Sequence, residues 1–191
     1  LLDGSVISVR YRNGETATTN LPEIFSGLLG DTIVSFEALQ PHQQQAWYSF
    51  LVQLAAMAVA RENDGEIPAT PDQWKELLVK LSDYSEAAWH LVVEDLSRPA
   101  FMQPPVPEGS LENFNKDTRT PDELDMLVTS KNHDVKGNRI LNPEPEHWFF
   151  ALLTVQTMDG IMGSGNYGIV RMNSGYGNRP FLSVSPKLMW G

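Results

Sequence analysis

The 191-residue chain contains no cysteine, which excludes disulfides and thiolate metal sites and fits a reducing compartment without proving one. It has no long apolar run: the longest, around residues 51–60, is broken by Gln53 and is too short to span a bilayer. The opening LLDGSVISVR lacks a basic stretch followed by an apolar block, so no signal peptide is expected. The chain also opens without Met and stops at LMWG, which reads as a piece of a longer protein. Basic residues are scarce, 14 Lys+Arg against 24 Asp+Glu for a net charge of −10. That balance excludes free-standing, non-specific nucleic-acid binding, whose affinity comes mainly from Lys and Arg. Any such contact has to be local, or assisted by basic partners.

One region departs from the acidic balance. No Asp or Glu follows Asp159, so the last 32 residues hold Arg171, Arg179 and Lys187 against no acid. Six of the 14 glycines lie between Gly160 and Gly177, in GIMGSGNYGIVRMNSGYG. Glycine lets a backbone approach a partner without a side chain in the way. A cationic, glycine-rich stretch in an acidic protein is a candidate for touching a polyanion.

The 41% apolar content and five Trp support a real core in one domain, or one domain plus a small appendage. SVISVRYR alternates Ile7, Val9 and Tyr11 with Ser8, Arg10 and Arg12, and Asn13-Gly14 is a two-residue hairpin signal. A β-hairpin running to about Asn20 is expected, then a short helix over 21–29 with Pro22 in its first turn. Pro41 opens the clearest helix, with Trp47, Phe50, Leu51, Leu54, Ala58 and Val59 at helical spacing and Gln43–Gln45 on its solvated or interfacial side. Thr70-Pro71-Asp72-Gln73 reads as a capping box, ahead of a buried stripe of Trp74, Leu77, Leu78 and Leu81. PAFMQPPVP forbids a helix and favours an extended, wrapped segment. Thr120-Pro121-Asp122-Glu123 repeats the capping signature. Asn142-Pro143 starts a last helix carrying Trp148, Phe149, Leu152, Leu153 and Gln156 to Met158. GIVRM and FLSV look like short strands. The fold class expected is α+β: a mostly helical body, a small N-terminal hairpin, and C-terminal strands around a glycine-rich loop.

Each chemical motif has a plainer rival. Gly163-Ser-Gly165-Asn-Tyr-Gly168 spells G-x-G-x-x-G, but dinucleotide binding needs a strand before it and a helix after it. Here a helix precedes and β-like IVRM follows, so the stretch either turns the chain or meets a polyanion. Ser130, His133 and Asp134 have the residue types of a hydrolase triad, yet sequence neighbours rarely converge on one reacting atom and no G-x-S-x-G is present. Lys131, Asn132, His133, Lys136 and Arg139 make a polar loop that either contacts phosphate or sugar oxygens or is simply solvated. His42, His90, His133 and His147 lack zinc spacing. Glu94-Asp95 reads as a metal-binding pair, a salt bridge to Arg98 or a cap. The aromatic residues 47, 50, 74, 148 and 149 are assigned to the core.

Several stretches together resemble the large subunit of the type I-E CRISPR surveillance complex Cascade, the CasA family. They are LLDGSVISVRYRNG, LQPHQQQAWYSFLVQLAAMA, LVVEDLSRPAFMQPPVPEG, LDMLVTSKNHDVK, FFALLTVQTMDGIMGSGNYGIVRMN and GYGNRP. The resemblance implies that residues 1–191 belong to the N-terminal, larger domain of such a subunit, without the C-terminal helical bundle of full-length members. It implies a non-catalytic cytoplasmic protein with no cofactor, metal or membrane. Its partners would be guide RNA, target double-stranded DNA, other Cascade subunits and a helicase-nuclease. By the resemblance, Gly163, Ser164, Gly165 and Asn166 form a loop that reads the protospacer-adjacent motif in the minor groove, and Arg171 is a phosphate contact. Lys131, Asn132, His133 and Lys136 inherit a role toward the guide RNA or neighbouring subunits. Asn166-Tyr167 replaces a lysine that some relatives carry, which puts the motif preference in doubt. A purely structural assembly subunit and the Ser130/His133/Asp134 hydrolase are the alternatives.

Overall fold

The computed structural model describes residues 1–106, 109–112, 114, 117–124 and 140–158. Its architecture is α+β, as expected. One compact unit comprises Leu1–Leu39 and Tyr48–Trp89, and a second comprises Gln40–Trp47 with the described residues from His90 onward.

The first unit begins with the expected hairpin, β1 (Ile7–Tyr11) and β2 (Thr16–Thr19), paired antiparallel with Ile7 opposite Thr19 and Arg10 opposite Thr16. Its connection is not the two-residue turn that Asn13-Gly14 suggests. Tyr11 N–H donates to Glu15 O at 2.8 Å and Gly14 N–H to Tyr11 O at 2.9 Å, closing a three-residue loop. Only Gly14 takes a positive φ, 90°. Asn13 instead uses its side chain, accepting from Glu15 N–H at 3.0 Å, and this local bond competes with the left-handed geometry of a tighter turn.

The hairpin gains a strand that the sequence reading lacked. β3 (Ile33–Phe36) pairs antiparallel with β1, giving the order β2-β1-β3 with a bulge between Arg10 and Tyr11. Ile7, Val9 and Ile33 are buried on the core face. On the other face Arg10 donates to both carboxylate oxygens of Glu37, at 3.0 and 2.5 Å, which holds that carboxyl below its usual range.

Between β2 and β3 runs α1 (Leu21–Leu29), with the expected bounds. Asn20 caps it, its side chain accepting from Glu23 N–H at 3.0 Å. Its apolar face packs on α3 (Pro71–Leu81), with Phe25 stacked on Trp74 at 4.6 Å. The capping box of α3 is formed as read: Gln73 N–H donates to Thr70 Oγ1 at 3.3 Å and Thr70 N–H to Gln73 Oε1 at 3.2 Å. Trp74, Leu77 and Leu78 are buried, whereas Leu81 in the last turn is only half-buried.

The long helix starts later than Pro41 suggests. Pro41–Gln43 is a 3-10 turn, and α2 runs Gln44–Glu62. Gln43 is buried rather than solvated, because its side-chain oxygen accepts from Gln40 N–H at 3.1 Å and closes the turn. In the second unit the last helix, α4 (Pro145–Met158), begins two residues beyond the expected start at Pro143. Glu144 precedes a proline, which biases it out of helical geometry, so Pro145 becomes the first helical residue. The expected C-terminal strands lie outside the described residues.

Two substitutions test this packing. Gly27 lies in α1 where an added Cβ would sit 2.6 Å from Ile33 Cδ1. Helix propensity alone favours Gly27→Ala by about 1 kcal/mol. The clash with a buried isoleucine reverses the sign, so Gly27→Ala is expected to lower the melting temperature and the added Ile33→Val to restore much of it. Thr70→Ala, which leaves a helix N-terminus uncapped, is expected to cost about 1 kcal/mol in urea unfolding, with Thr70→Ser near neutral.

Candidate nucleic-acid interface

Gly163, Ser164, Gly165, Asn166 and Arg171 lie outside the described residues. So do Lys131, Asn132, His133 and Lys136, together with the alternative hydrolase residues Ser130 and Asp134. What the structure does describe is the pair of anchors from which these two segments leave.

The first anchor is α4, whose last residue, Met158, stands two positions before Gly160. Phe149 and Phe150 both meet the Trp47 indole edge-on at 5.5 Å, and Phe101 stacks on Phe149 at 5.5 Å. All four rings are buried. Phe101 comes from the proline-rich strap, which turns sharply at Met102, with φ of 53°, and bridges Ala100 to Gln103. Phe101 N–H also donates to His90 O at 2.7 Å. The strap then meets the end of α4, where Gln156 Nε2 donates to Met102 O at 2.8 Å. Thr154 and Thr157, buried on the helix, return their hydroxyls to Phe150 O and Leu153 O at 2.7 Å each. The two threonine hydroxyls and the Gln156 amide nitrogen are therefore satisfied within the protein, whereas Gln156 Oε1 is buried without a hydrogen-bond partner.

The pattern of α4 differs from the sequence reading in one respect. Phe150, Ala151 and Thr154 are buried, while Trp148 and Leu152 are half-buried. The core face is rotated from the one that Trp148 and Leu152 define.

The second anchor flanks residues 125–139. Pro121–Glu123 forms one 3-10 turn, and Thr120 makes no side-chain cap bond. Glu123 reaches back to accept from Arg119 N–H at 2.9 Å. Asp122 Oδ2 accepts from Ile140 N–H at 2.8 Å. This bond spans 18 positions and ties the residues on either side of the segment together. No local pattern advertises it; Asp122 in sequence is only an acid in a helix-start signature.

Asp95 closes a local Asx turn rather than capping a helix. Asp95 Oδ1 accepts from Ser97 N–H at 3.0 Å and from Ser97 Oγ at 2.6 Å, which lowers its carboxyl below the usual range. Among the described residues no group of three or more His, Asp or Glu is placed to hold a metal ion. No helix among them is long and apolar enough to cross a membrane.

The model of the family CRISPR-associated protein Cse1 matches residues 1–183. The chain belongs to this family. Neither a curated protein nor a solved structure matches it. Cse1 membership makes the chain a subunit of a CRISPR Cascade complex, in line with the resemblance read from its motifs. The match includes both anchors of this Cse1 chain, the whole of 125–139, and the glycine-rich run through Gly177.

Asp122→Ala removes the acceptor for Ile140 N–H while leaving the apolar residues of the unit in place. Amide exchange at Ile140 is expected to speed at least tenfold, with exchange across β1 unchanged. Equal protection in both proteins would show that the bond holds nothing.

Proposed function

We propose that this Cse1-family chain recognises the protospacer-adjacent motif in target duplex DNA and helps recruit the helicase-nuclease, without an active site of its own. The observation that carries the reading is the continuous family match over residues 1–183, which takes in the acid-free, glycine-rich run. In the proposal the backbone of Gly163, Ser164, Gly165 and Asn166 enters the minor groove, where A·T and G·C pairs differ by the guanine amino group. Arg171 neutralises a phosphate nearby. Lys131, Asn132, His133 and Lys136 contact the 5′ handle of the guide RNA or a neighbouring subunit, in the cytoplasm where the complex would act.

Charge supports a division of labour. A body of net charge −10 repels a phosphate backbone at long range, so basic partners and RNA supply most of the affinity. The chain's own contribution is then local discrimination through a stretch that bears no carboxylate.

The test uses the fully assembled complex with Gly163→Asp and Gly165→Asp, which bring charge and bulk to the groove-facing backbone. Binding to duplexes with the correct flanking motif is expected to fall at least tenfold, and the preference over scrambled flanks to shrink. Binding to a complementary single strand, which needs no flank reading, is expected to hold. Undiminished flank discrimination would overturn the proposal in favour of a purely structural subunit.

A further inference from the structure

The second unit carries an apolar groove of about 520 Å³ that the flank-reading role does not use, lined by Leu91, Val92, Leu124, Pro143, Trp148 and Leu152. Its size falls in the range that accepts a bulky group. Gln103 is the polar side chain of the lining, and its amide already donates to Leu91 O at 2.9 Å. The groove therefore suits an apolar occupant better than a hydrogen-bonding one. Val92 stands 83% exposed at its edge, and Trp148 is only half-buried despite its place on α4. Half-buried tryptophan beside exposed aliphatic groups is the composition of an interaction surface rather than of ordinary solvent-facing helix.

The charges around it select the partner. Three of the lining segments carry two acids beside their apolar residues, Glu94 and Asp95 after Val92, Asp122 and Glu123 before Leu124, and Glu144 and Glu146 around Pro145, while the strap around Gln103 adds none over residues 99–106. The same segments hold two fixed cations, Arg98 and Arg119, with His90 and His147. Asp95, Asp122 and Glu123 accept hydrogen bonds from backbone N–H groups, which leave their negative charge in place. An acidic rim repels nucleic acid, and it repels a second copy of a chain that is itself at −10.

We propose that this groove docks a segment of a partner protein in which one bulky apolar side chain is flanked by Lys or Arg. The side chain fills the space against Trp148 and Leu152, and the flanking cations meet the acidic rim. The inference is independent of whether the glycine run meets DNA.

The experiment places the photo-crosslinker p-benzoylphenylalanine at Val92, an exposed position, in the chain assembled with its partner subunits. After irradiation, mass spectrometry is expected to map a cross-link to one partner polypeptide, at an apolar residue with Lys or Arg within two positions. Cross-links confined to this chain, to a second copy or to nucleic acid, or none at all, would overturn the proposal. A synthetic peptide of the mapped sequence then probes the charge requirement. Glu94→Lys with Glu144→Lys, both on exposed residues, is expected to weaken that peptide at least tenfold near physiological salt and to flatten its salt dependence. Unchanged affinity in that variant, with its melting temperature intact, would overturn the electrostatic selection.

Discussion

The closing of Phe149 and Phe150 on the Trp47 indole is the contact on which the second unit depends. Each ring meets Trp47 edge-on at 5.5 Å, the geometry in which the positive edge of one aromatic faces the negative face of another. Burying rings of this size contributes on the order of 2–3 kcal/mol apiece from area alone. Phe101 extends the cluster by stacking on Phe149, so the proline-rich strap is held through one aromatic side chain. A strap with this many prolines lacks the backbone donors to hold itself in a sheet or helix. Its position is fixed by the Phe101 ring, by the bond from Gln156 to Met102 O, and by scattered bonds from Phe101 N–H to His90 O, Gln103 Nε2 to Leu91 O and Val106 N–H to Leu96 O.

That arrangement bears on the contacts proposed for the two segments. A recognition loop discriminates only if its base does not move with it, and rigid scaffolds carrying contact loops are the common solution. Here the base of the glycine-rich run is a helix whose last turn has its threonine hydroxyls and one glutamine amide already bonded. At the base of 125–139 a charge-assisted bond runs from Ile140 N–H to Asp122. The two tethers differ in kind. The first is embedded in an aromatic cluster; the second includes a long-range hydrogen bond at a part-buried site.

Local signals carried the helices well and non-local ones poorly. The starts of α1 and α3 were legible because Pro22, Thr70 and Gln73 act within four residues of themselves. The start of α4 was misread by two residues because Asn142-Pro143 competes with Glu144-Pro145, and the second proline decides where helical geometry can begin. β3 has no signature of its own; Ile33–Phe36 becomes a strand because β1 offers it an edge. Gln43 was read by its polarity, yet its oxygen is consumed by Gln40 N–H, which makes burial inexpensive. Trp148 was assigned to the core by helical spacing, but spacing cannot say which of two adjacent faces the rest of the chain covers. The residues proposed to contact nucleic acid were legible as glycine, cation and missing acid, and they fall within the span that the family match covers. The groove was not legible, since its walls come from segments that meet only in the folded unit.

The acidity of the chain links these observations. If the chain reads DNA as proposed, carboxylates spread at random would gain it nothing, because each one opposes the phosphate backbone. Concentrating acids before residue 160 and excluding them afterwards confines attraction to one stretch and makes every other surface a poor DNA ligand. The same carboxylates are useful where the neighbour is a basic protein, because opposite charge speeds encounter and sets orientation while the apolar contact supplies affinity. On the proposed reading, a subunit that holds basic partners and reads a DNA flank needs both properties at once. Segregating charge along the chain meets both requirements without any single strongly basic domain.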